Sequence, residues 1–248
     1  MKLSFSTRGW PNLSWEQMLG TACDMGFSGV EVYNLPKFDP LLDRSGPFHK
    51  YQAAATVRLL REKKLSIPCF DTSCDLSADQ AAVDTLSSLL EVAHNTQVPY
   101  IVACALQEKE DDVIQKLETL LPKAEELGVT VLIKTSGIYA DTGRLRSLLD
   151  RFASDHLAAL WDVHHPYRDF GEGGDTTIKN LGAYVCHVHL RDSDEEGTYQ
   201  LIGEGTMPID DVMRALSSVN YDGFISLEWK PEWLEDLQDP EVIFPYFV

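Results

Sequence analysis

Short apolar runs rich in β-branched and aromatic residues alternate with amphipathic stretches along the whole chain. The apolar runs predict eight strands whose starts are separated by about 25 to 40 residues, the size of a βα unit. The predicted strands are Leu3–Thr7, Gly29–Tyr33, Ile67–Asp71, Tyr100–Ala105, Thr130–Lys134, Ala158–Asp162, Val185–Leu190 and Phe224–Glu228.

Between these strands, apolar residues recur at three- and four-residue steps, which predicts helices. The first predicted helix, Trp15–Met25, follows Ser14, a favourable N-cap, and ends at Gly26. The others are Val57–Lys64, Val83–Ala93, Val113–Leu127 and Thr142–Phe152. The longest stretches predicted to be irregular are Pro36–His49, after the second strand, and Arg168–Gly174, after the sixth. Loops of this length often carry function.

Eight strand–helix alternations within 248 residues predict an α/β fold, a single (β/α)8 TIM barrel spanning residues 1–248. An open doubly wound sheet is the alternative, although such a sheet usually has fewer strands. No Pro/Gly/Ser-rich linker divides the chain.

The composition narrows the class of protein. With 39 acidic and 21 basic residues, the net charge is −18, which argues against nucleic acid or an anionic membrane as a partner. No apolar run approaches the roughly 20 residues of a membrane span, and the N-terminus turns polar too early for a signal peptide. The five cysteines are odd in number and form no C-x-x-C pair, which favours reduced, buried thiols. We therefore expect a cytoplasmic protein.

Candidate chemistry lies at the strand ends, which share one cavity in a barrel. Most predicted strands end at an ionisable residue: Arg8, Glu31, Asp71, Lys134, Asp162, His189 and Glu228. A lone histidine or terminal carboxylate is more often structural, but the combination at three successive strand ends favours a site. Converging carboxylates repel one another without a cation. Imidazole with carboxylates suits one divalent ion such as Mn²⁺, Mg²⁺, Co²⁺ or Zn²⁺.

Four segments carry a family resemblance: W-D-V-H-H-P at 161–166, H-V-H-L-R-D at 187–192, I-G-E-G at 202–205 and D-G-F-I-S-L-E at 222–228. They resemble the sugar phosphate isomerase/epimerase family, within the xylose isomerase-like TIM barrel superfamily. The resemblance covers essentially the whole chain. It implies a metal site made of a Glu ending strand five, an Asp ending strand six, a His on strand seven and a Glu ending strand eight. Asp162, His189 and Glu228 correspond to the last three.

The same resemblance suggests residues that bind substrate. His165 corresponds to a position where a histidine contacts substrate or a second metal, and His187 lies one layer below His189. Glu204 corresponds to a loop carboxylate whose role varies, and Arg191 lies within the H-V-H-L-R-D motif. Trp10 could stack on a sugar face, although packing in the core is an equally good interpretation.

Lys134 departs from the family pattern, because strand five should end in Glu. A metal could still bind through the other three ligands, with Lys134 losing its proton and acting as a neutral base. Alternatively, the ammonium replaces the metal and polarises a substrate carbonyl. A third alternative is a silent sugar-binding barrel, and a fourth is a lysine that merely reaches solvent.

The resemblance implies proton transfer at a carbon next to a carbonyl, in a small carbohydrate or polyol, by a metal-dependent isomerase or epimerase. Glu228 and Lys134 are the predicted catalytic pair. A dehydratase or lyase acting on a keto-sugar or inosose is the alternative enzyme. The acidic Gly203-Glu204-Gly205 loop favours an unphosphorylated substrate. Relatives often dimerise, so a homodimer is an open expectation.

Overall fold

A computed structural model describes residues 1–35, 39–233 and 239–248. Eight parallel strands close into a barrel in the order β1-β10-β7-β6-β5-β4-β3-β2, and β8 and β9 form a separate two-stranded antiparallel sheet. The strands are β1 (Lys2–Ser6), β2 (Gly29–Tyr33), β3 (Cys69–Asp75), β4 (Tyr100–Cys104), β5 (Thr130–Lys134), β6 (Leu157–Asp162), β7 (Val185–Leu190), β8 (Asp192–Ser193), β9 (Tyr199–Gln200) and β10 (Phe224–Leu227). The TIM barrel prediction is confirmed.

The strand register brings the predicted strand ends to one end of the barrel. Lys134 pairs with Leu160, and Asp162 pairs with His189. His189 in turn pairs with Ser226, two residues before Glu228. Continuous apolar strands suit a parallel sheet that is covered on both faces; all six residues of β6 are buried.

Nine α-helices lie in the described residues: α1 (Trp15–Asp24), α2 (Ala53–Lys63), α3 (Ala82–Thr96), α4 (Glu110–Leu127), α5 (Thr142–Phe152), α6 (His164–Phe170), α7 (Gly174–Leu181), α8 (Ile209–Ser218) and α9 (Pro240–Ile243). All five predicted helices are present. Ser14 caps α1 in a capping box with Gln17. α4 begins three residues earlier than predicted, because its first turn is acidic and suits the positive end of the helix dipole.

The predicted irregular stretch Arg168–Gly174 is wrong for most of its length. α6 extends to Phe170 and α7 begins at Gly174, so that three residues separate the helices. Gly171 adopts a left-handed conformation (φ 66°) that ends α6. Of the stretch Pro36–His49, residues 36–38 lie outside the described residues, and the rest contains one short 3-10 helix, Pro40–Leu42. None of the described helices is long and apolar enough to cross a membrane.

Candidate functional site

The floor of the site is a fully buried carboxylate held between two imidazoles. Oε2 of Glu31, on β2, accepts hydrogen bonds from Nε2 of His187 (2.8 Å) and from Nε2 of His189 (2.7 Å). The two histidines alternate along β7 and point into the barrel together. Burial lowers the pKa of both imidazoles, but the charge of Glu31 outweighs burial at His189 and raises its pKa to about 9. His189 is therefore an imidazolium at neutral pH, and His187 is neutral.

Above this floor, the ammonium of Lys134 lies among three carboxylates. Its Nζ is 3.2 Å from Oε1 of Glu228, 3.6 Å from Oδ2 of Asp162 and 3.8 Å from Oδ2 of Asp71. The Lys134 side chain is 11% exposed, so the alternative in which it merely reaches solvent is wrong. Burial alone would lower the pKa of Lys134, but the three carboxylates, Glu228 first, raise it above its ordinary value.

Two arginines complete the ion pairs. Arg191 follows β7 and is buried; its Nη2 donates to Oδ2 of Asp162 (2.6 Å), and its Nη1 lies 3.1 Å from Oε2 of Glu228. Nη1 of Arg8, two residues beyond β1, donates to Oε1 of Glu228 (2.8 Å). Burial opposes ionisation of Glu228 and Asp162. The charge of Arg191 is the largest influence that favours ionisation of both carboxyl groups. Together with the other cations around them, it holds the pKa of Glu228 well below its usual range and lowers the pKa of Asp162 to about 2.

Asp71, on β3, differs from the other carboxylates. Burial raises its pKa to about 6, although the charge of Lys134 opposes the rise. Its Oδ1 is buried and has no hydrogen-bond partner among the described residues. A carboxylate that titrates near neutral pH and has a vacant oxygen is suited to taking a proton from a substrate.

Each carboxylate of this strand-end cluster is matched by a cation. The carboxylates are those of Glu31, Asp71, Asp162 and Glu228, and the cations are those of Lys134, Arg191, Arg8 and His189. The cluster is therefore close to neutral with both Lys134 and His189 protonated.

Some of the residues in the strand-end cluster are suitable ligands for a metal ion. Asp71, His189 and Glu228 offer ligand atoms that all lie within 4.8 Å of one another. Asp71 Oδ1, His189 Nδ1 and Glu228 Oε2 are buried without a hydrogen bond in the described part of the chain. This group could hold a metal. It contains Asp71 in place of Asp162, the aspartate that was predicted as a metal ligand. Asp162 is outside the group, and its Oδ2 is engaged by Arg191 and Lys134.

The protonated Lys134 opposes a metal at this group. A divalent ion about 4 Å from an ammonium is repelled by about 8 kcal/mol at an effective dielectric constant of about 20. A metal also requires a neutral imidazole, whereas the pKa of His189 is raised to about 9. The group therefore suits a metal only after Lys134 and His189 have lost their protons.

Of the five predicted substrate-binding residues, Arg191 lies directly in the strand-end cluster. His187 lies beneath the cluster on Glu31. His165 lies on α6, where its Nδ1 is 3.0 Å from Asp169 Oδ2, and Glu204 is exposed in its loop. Trp10 is 5% exposed and packs edge-on against Phe5 and Phe244, as its alternative, core packing, predicts.

Hydrogen bonds to Asp192 explain the glycines of the I-G-E-G motif. The buried carboxylate of Asp192 accepts hydrogen bonds from the backbone N–H groups of Gly203 (2.9 Å), Gly205 (3.1 Å) and Met207 (3.1 Å). A Cβ at Gly205 would lie 2.2 Å from Oδ1 of Asp192, so the loop needs glycine there. Asp192 thereby fixes the loop that follows β9.

Aromatic rings line the mouth of the site around Arg191. Tyr199, on β9, stacks on Trp233 with ring centroids 3.7 Å apart. The Arg191 guanidinium lies 5.3 Å from the Tyr199 ring and 5.6 Å from the Trp233 ring. Nζ of Lys230 lies 5.3 Å from the Trp233 ring, and the guanidinium of Arg8 lies 4.5 Å from the Tyr33 ring. The mouth therefore combines cations with flat apolar surfaces.

The sequence analysis assigned no function to three residues of the cluster. Glu31 was recognised only as an ionisable strand end, but its role could have been predicted, because a carboxylate inside the apolar strand G-V-E-V-Y has to meet a buried partner. Asp71 and Arg8 were recognised as strand ends, but their spacing reveals neither the elevated pKa of the first nor the ion pair of the second.

Comparisons with known proteins agree with the fold. Residues 19–243 match the family described as Xylose isomerase-like TIM barrel. Fructoselysine 3-epimerase of Escherichia coli O157:H7 is 22% identical over 256 aligned residues, which cover 92% of this chain and 90% of that protein.

Two solved structures share the fold. The probable 3-DHS dehydratase AsbF from Bacillus anthracis superposes with a TM-score of 0.81 at 16% identity, covering 99% of this chain and 97% of that one. IolI protein with a bound zinc atom superposes with a TM-score of 0.80 at 16% identity, covering 99% and 95%.

Proposed function

The chain belongs to the xylose isomerase-like TIM barrel family, and from that premise we propose that it is an isomerase or epimerase that moves a proton at a carbon next to a carbonyl of a small carbohydrate. One observation carries the proposal: the buried ammonium of Lys134, within 3.8 Å of three carboxylates. In this proposal Lys134 and Arg191 supply the positive charge that polarises the carbonyl. The likeness to fructoselysine 3-epimerase supports the reaction class.

Asp71 is the proton acceptor in this proposal. Its Oδ1 takes the proton from the carbon next to the carbonyl; the electron pair of the C–H bond forms a C=C bond, and the π pair of the carbonyl moves onto its oxygen. The resulting enediolate oxygen is held by the ammonium of Lys134 and the guanidinium of Arg191. Charge that develops in a buried, preorganised site is stabilised far more than in water.

The proton then returns to carbon. Return to the neighbouring carbon, with transfer of a proton from the hydroxyl oxygen to the former carbonyl oxygen, interchanges aldose and ketose, whereas return to the opposite face of the same carbon inverts its configuration. Glu228, predicted as a proton-transfer group, is a weak base, because Arg191, Lys134 and His189 hold its pKa well below the usual range although burial opposes them. Its role in this proposal is to position Lys134, Arg191 and Arg8.

A metal-dependent form of the same enzyme is the second candidate. The ligand atoms of Asp71, His189 and Glu228 that make no hydrogen bond in the described part of the chain favour it. A divalent ion bound there would supply positive charge for the carbonyl oxygen. Lys134 would then be neutral and available as a base.

Elimination of water is the alternative outcome of the same first step. If the substrate carries a hydroxyl group β to the carbonyl, the enediolate can expel it with a proton, and the product is a dehydrated ketone. The fold shared with the probable 3-DHS dehydratase supports this alternative.

Deuterium exchange tests the proposal without knowledge of the natural substrate. The protein is incubated in D2O with a panel of ketoses, aldoses and inososes, and the recovered sugars are analysed by NMR and mass spectrometry. We expect deuterium next to the carbonyl together with an isomer or epimer, and neither with Asp71→Asn. A dehydrated product would favour the lyase. Sugar binding without exchange would refute the proposal in favour of a silent binding barrel.

A further inference from the structure

Lys230 at the mouth of the barrel is a cation that the chemistry above does not use. It lies two residues beyond Glu228 and is half-buried. Its Nζ lies against the Trp233 ring, 5.3 Å from the centroid. Among residues 1–35, 39–233 and 239–248, no carboxylate oxygen lies within 4.0 Å of this ammonium. Glu228 and Glu232 act on Lys230 through their charge, but neither forms an ion pair with it.

The surroundings of Lys230 are positively charged. Arg191 lies 5.6 Å from the same Trp233 ring, and the charges of both Arg8 and Arg191 act on Lys230. Glu228, the carboxylate between these cations, is already engaged by Arg8, Lys134 and Arg191. Three cations crowded at one rim repel one another, and an anion placed between them would relieve that repulsion.

The three cations also have N–H groups that make no hydrogen bond within the described part of the chain. A guanidinium carries five N–H groups. Arg8 donates one hydrogen bond to Glu228, and its side chain is 25% exposed. Nε of Arg191 is buried and has no hydrogen-bond partner in the described part of the chain. The ammonium of Lys230 has three N–H donors, so the rim can hold the oxygens of an acidic group.

The overall charge makes this rim selective. The chain carries a net charge of −18, so an acidic molecule is repelled by most of the surface and favoured only where cations cluster. The rings of Trp233 and Tyr199 offer an apolar face beside the cations. Carbohydrates stack well on such rings through their C–H faces.

We propose that the substrate is an acidic sugar whose anionic group binds at the rim formed by Lys230, Arg8 and Arg191. This inference rests on the proposed function and names its substrate class. A carboxylate, as in a sugar acid, and a phosphate ester offer the same oxygens to these donors. The unphosphorylated substrate expected from the acidic loop corresponds to the carboxylate.

Binding of matched ligand pairs tests the inference, because it needs no turnover. Calorimetry compares glucuronate with glucose, and fructose 6-phosphate with fructose. We expect at least one acidic ligand to bind about tenfold tighter than its neutral partner, a preference of about 1.4 kcal/mol. The pair that shows the preference identifies the carboxylate or the phosphate as the group recognised.

Variants of Lys230 test whether this residue causes the preference for acidic ligands. Lys230→Met should remove most of it and leave the affinity for neutral sugars unchanged, whereas Lys230→Arg should keep it. Lys123→Met, which removes an exposed lysine paired with Glu91, is the matched control and should change nothing. Added salt should weaken the acidic ligands more than the neutral ones.

Two results would overturn the inference: acidic ligands that bind no better than neutral ones, including a complete absence of acidic-ligand binding at millimolar concentration, or a preference that survives in Lys230→Met. Deuterium exchange that is faster into neutral sugars than into their acidic partners would likewise overturn it while leaving the proposed proton transfer intact. Loss of exchange from every sugar with the acidic preference retained would instead overturn the proton transfer.

Discussion

Lys134→Met removes the cation that lies at the centre of the strand-end cluster. Methionine has a similar length and no charge, so the perturbation is mainly electrostatic. The substitution leaves Glu228, Asp162 and Asp71 facing one another in a buried site. We expect the free energy of unfolding to fall and one of the three carboxylates to take up a proton.

The distances set the magnitude. At 3.2 to 3.8 Å each contact is worth about 4 to 5 kcal/mol at an effective dielectric constant of about 20, before the cost of removing the ions from water. That cost amounts to several kcal/mol for each buried ion. Removing one partner of a buried ion pair typically costs about 3 to 5 kcal/mol, and we expect a loss in this range at pH 7.

Urea unfolding followed by circular dichroism measures the loss. Lys123→Met is the matched control, because Nζ of Lys123 lies 2.6 Å from Glu91 in an ion pair that is largely exposed; it should cost less than about 1 kcal/mol. The cost of Lys134→Met should also shrink as pH falls and the carboxylates become protonated. If both variants lost equally little stability at pH 7, Lys134 would not hold the cluster together.

Three further predictions concern the same cluster. Exchange activity should rise as pH rises through about 6, where Asp71 loses its proton; Asp71→Asn should retain the fold and lose at least about a hundredfold in rate, as a deuterium-exchange assay would measure. His189 has a folded-state pKa raised from 6.5 to about 9, so its contribution to stability is fully present below pH 6.5 and is lost as pH rises through about 9. His189→Gln should flatten that loss in urea titrations, and an unchanged pH dependence would contradict the assignment. Lys134→Glu should acquire about one divalent ion per chain, because it replaces a positive charge with a carboxylate; elemental analysis of this variant and of Lys134→Gln, which should stay metal-poor, decides the point.

The sequence predicts the barrel well because its strands are apolar on both faces. The runs around Thr130 and Ala158 have no polar alternation, and their strands are confirmed within one residue at each end. The short α6 was missed, because H-H-P-Y-R-D-F has no apolar period and Pro166 suggests a break, although proline is tolerated in the first turn of a helix.

The location of the site could be predicted from the sequence, but most of its side-chain contacts could not. Strand ends at Lys134, His189 and Glu228 meet as expected, because the register of a closed barrel leaves them little choice. The family pattern could not show that Arg191 would turn inward onto Asp162, or that Asp71 would take its place beside His189. Those outcomes depend on the balance of buried charges, which a linear pattern does not contain.

The metal content of the active protein tests most directly whether an ammonium stands in place of the metal. The protein is purified without chelator, its metals are counted by elemental analysis, and deuterium exchange is compared before and after treatment with EDTA. We predict much less than one Mn, Mg, Co or Zn per chain, and a rate of deuterium exchange that is unchanged by EDTA. About one metal per chain, with exchange lost to EDTA and restored by that metal, would contradict it.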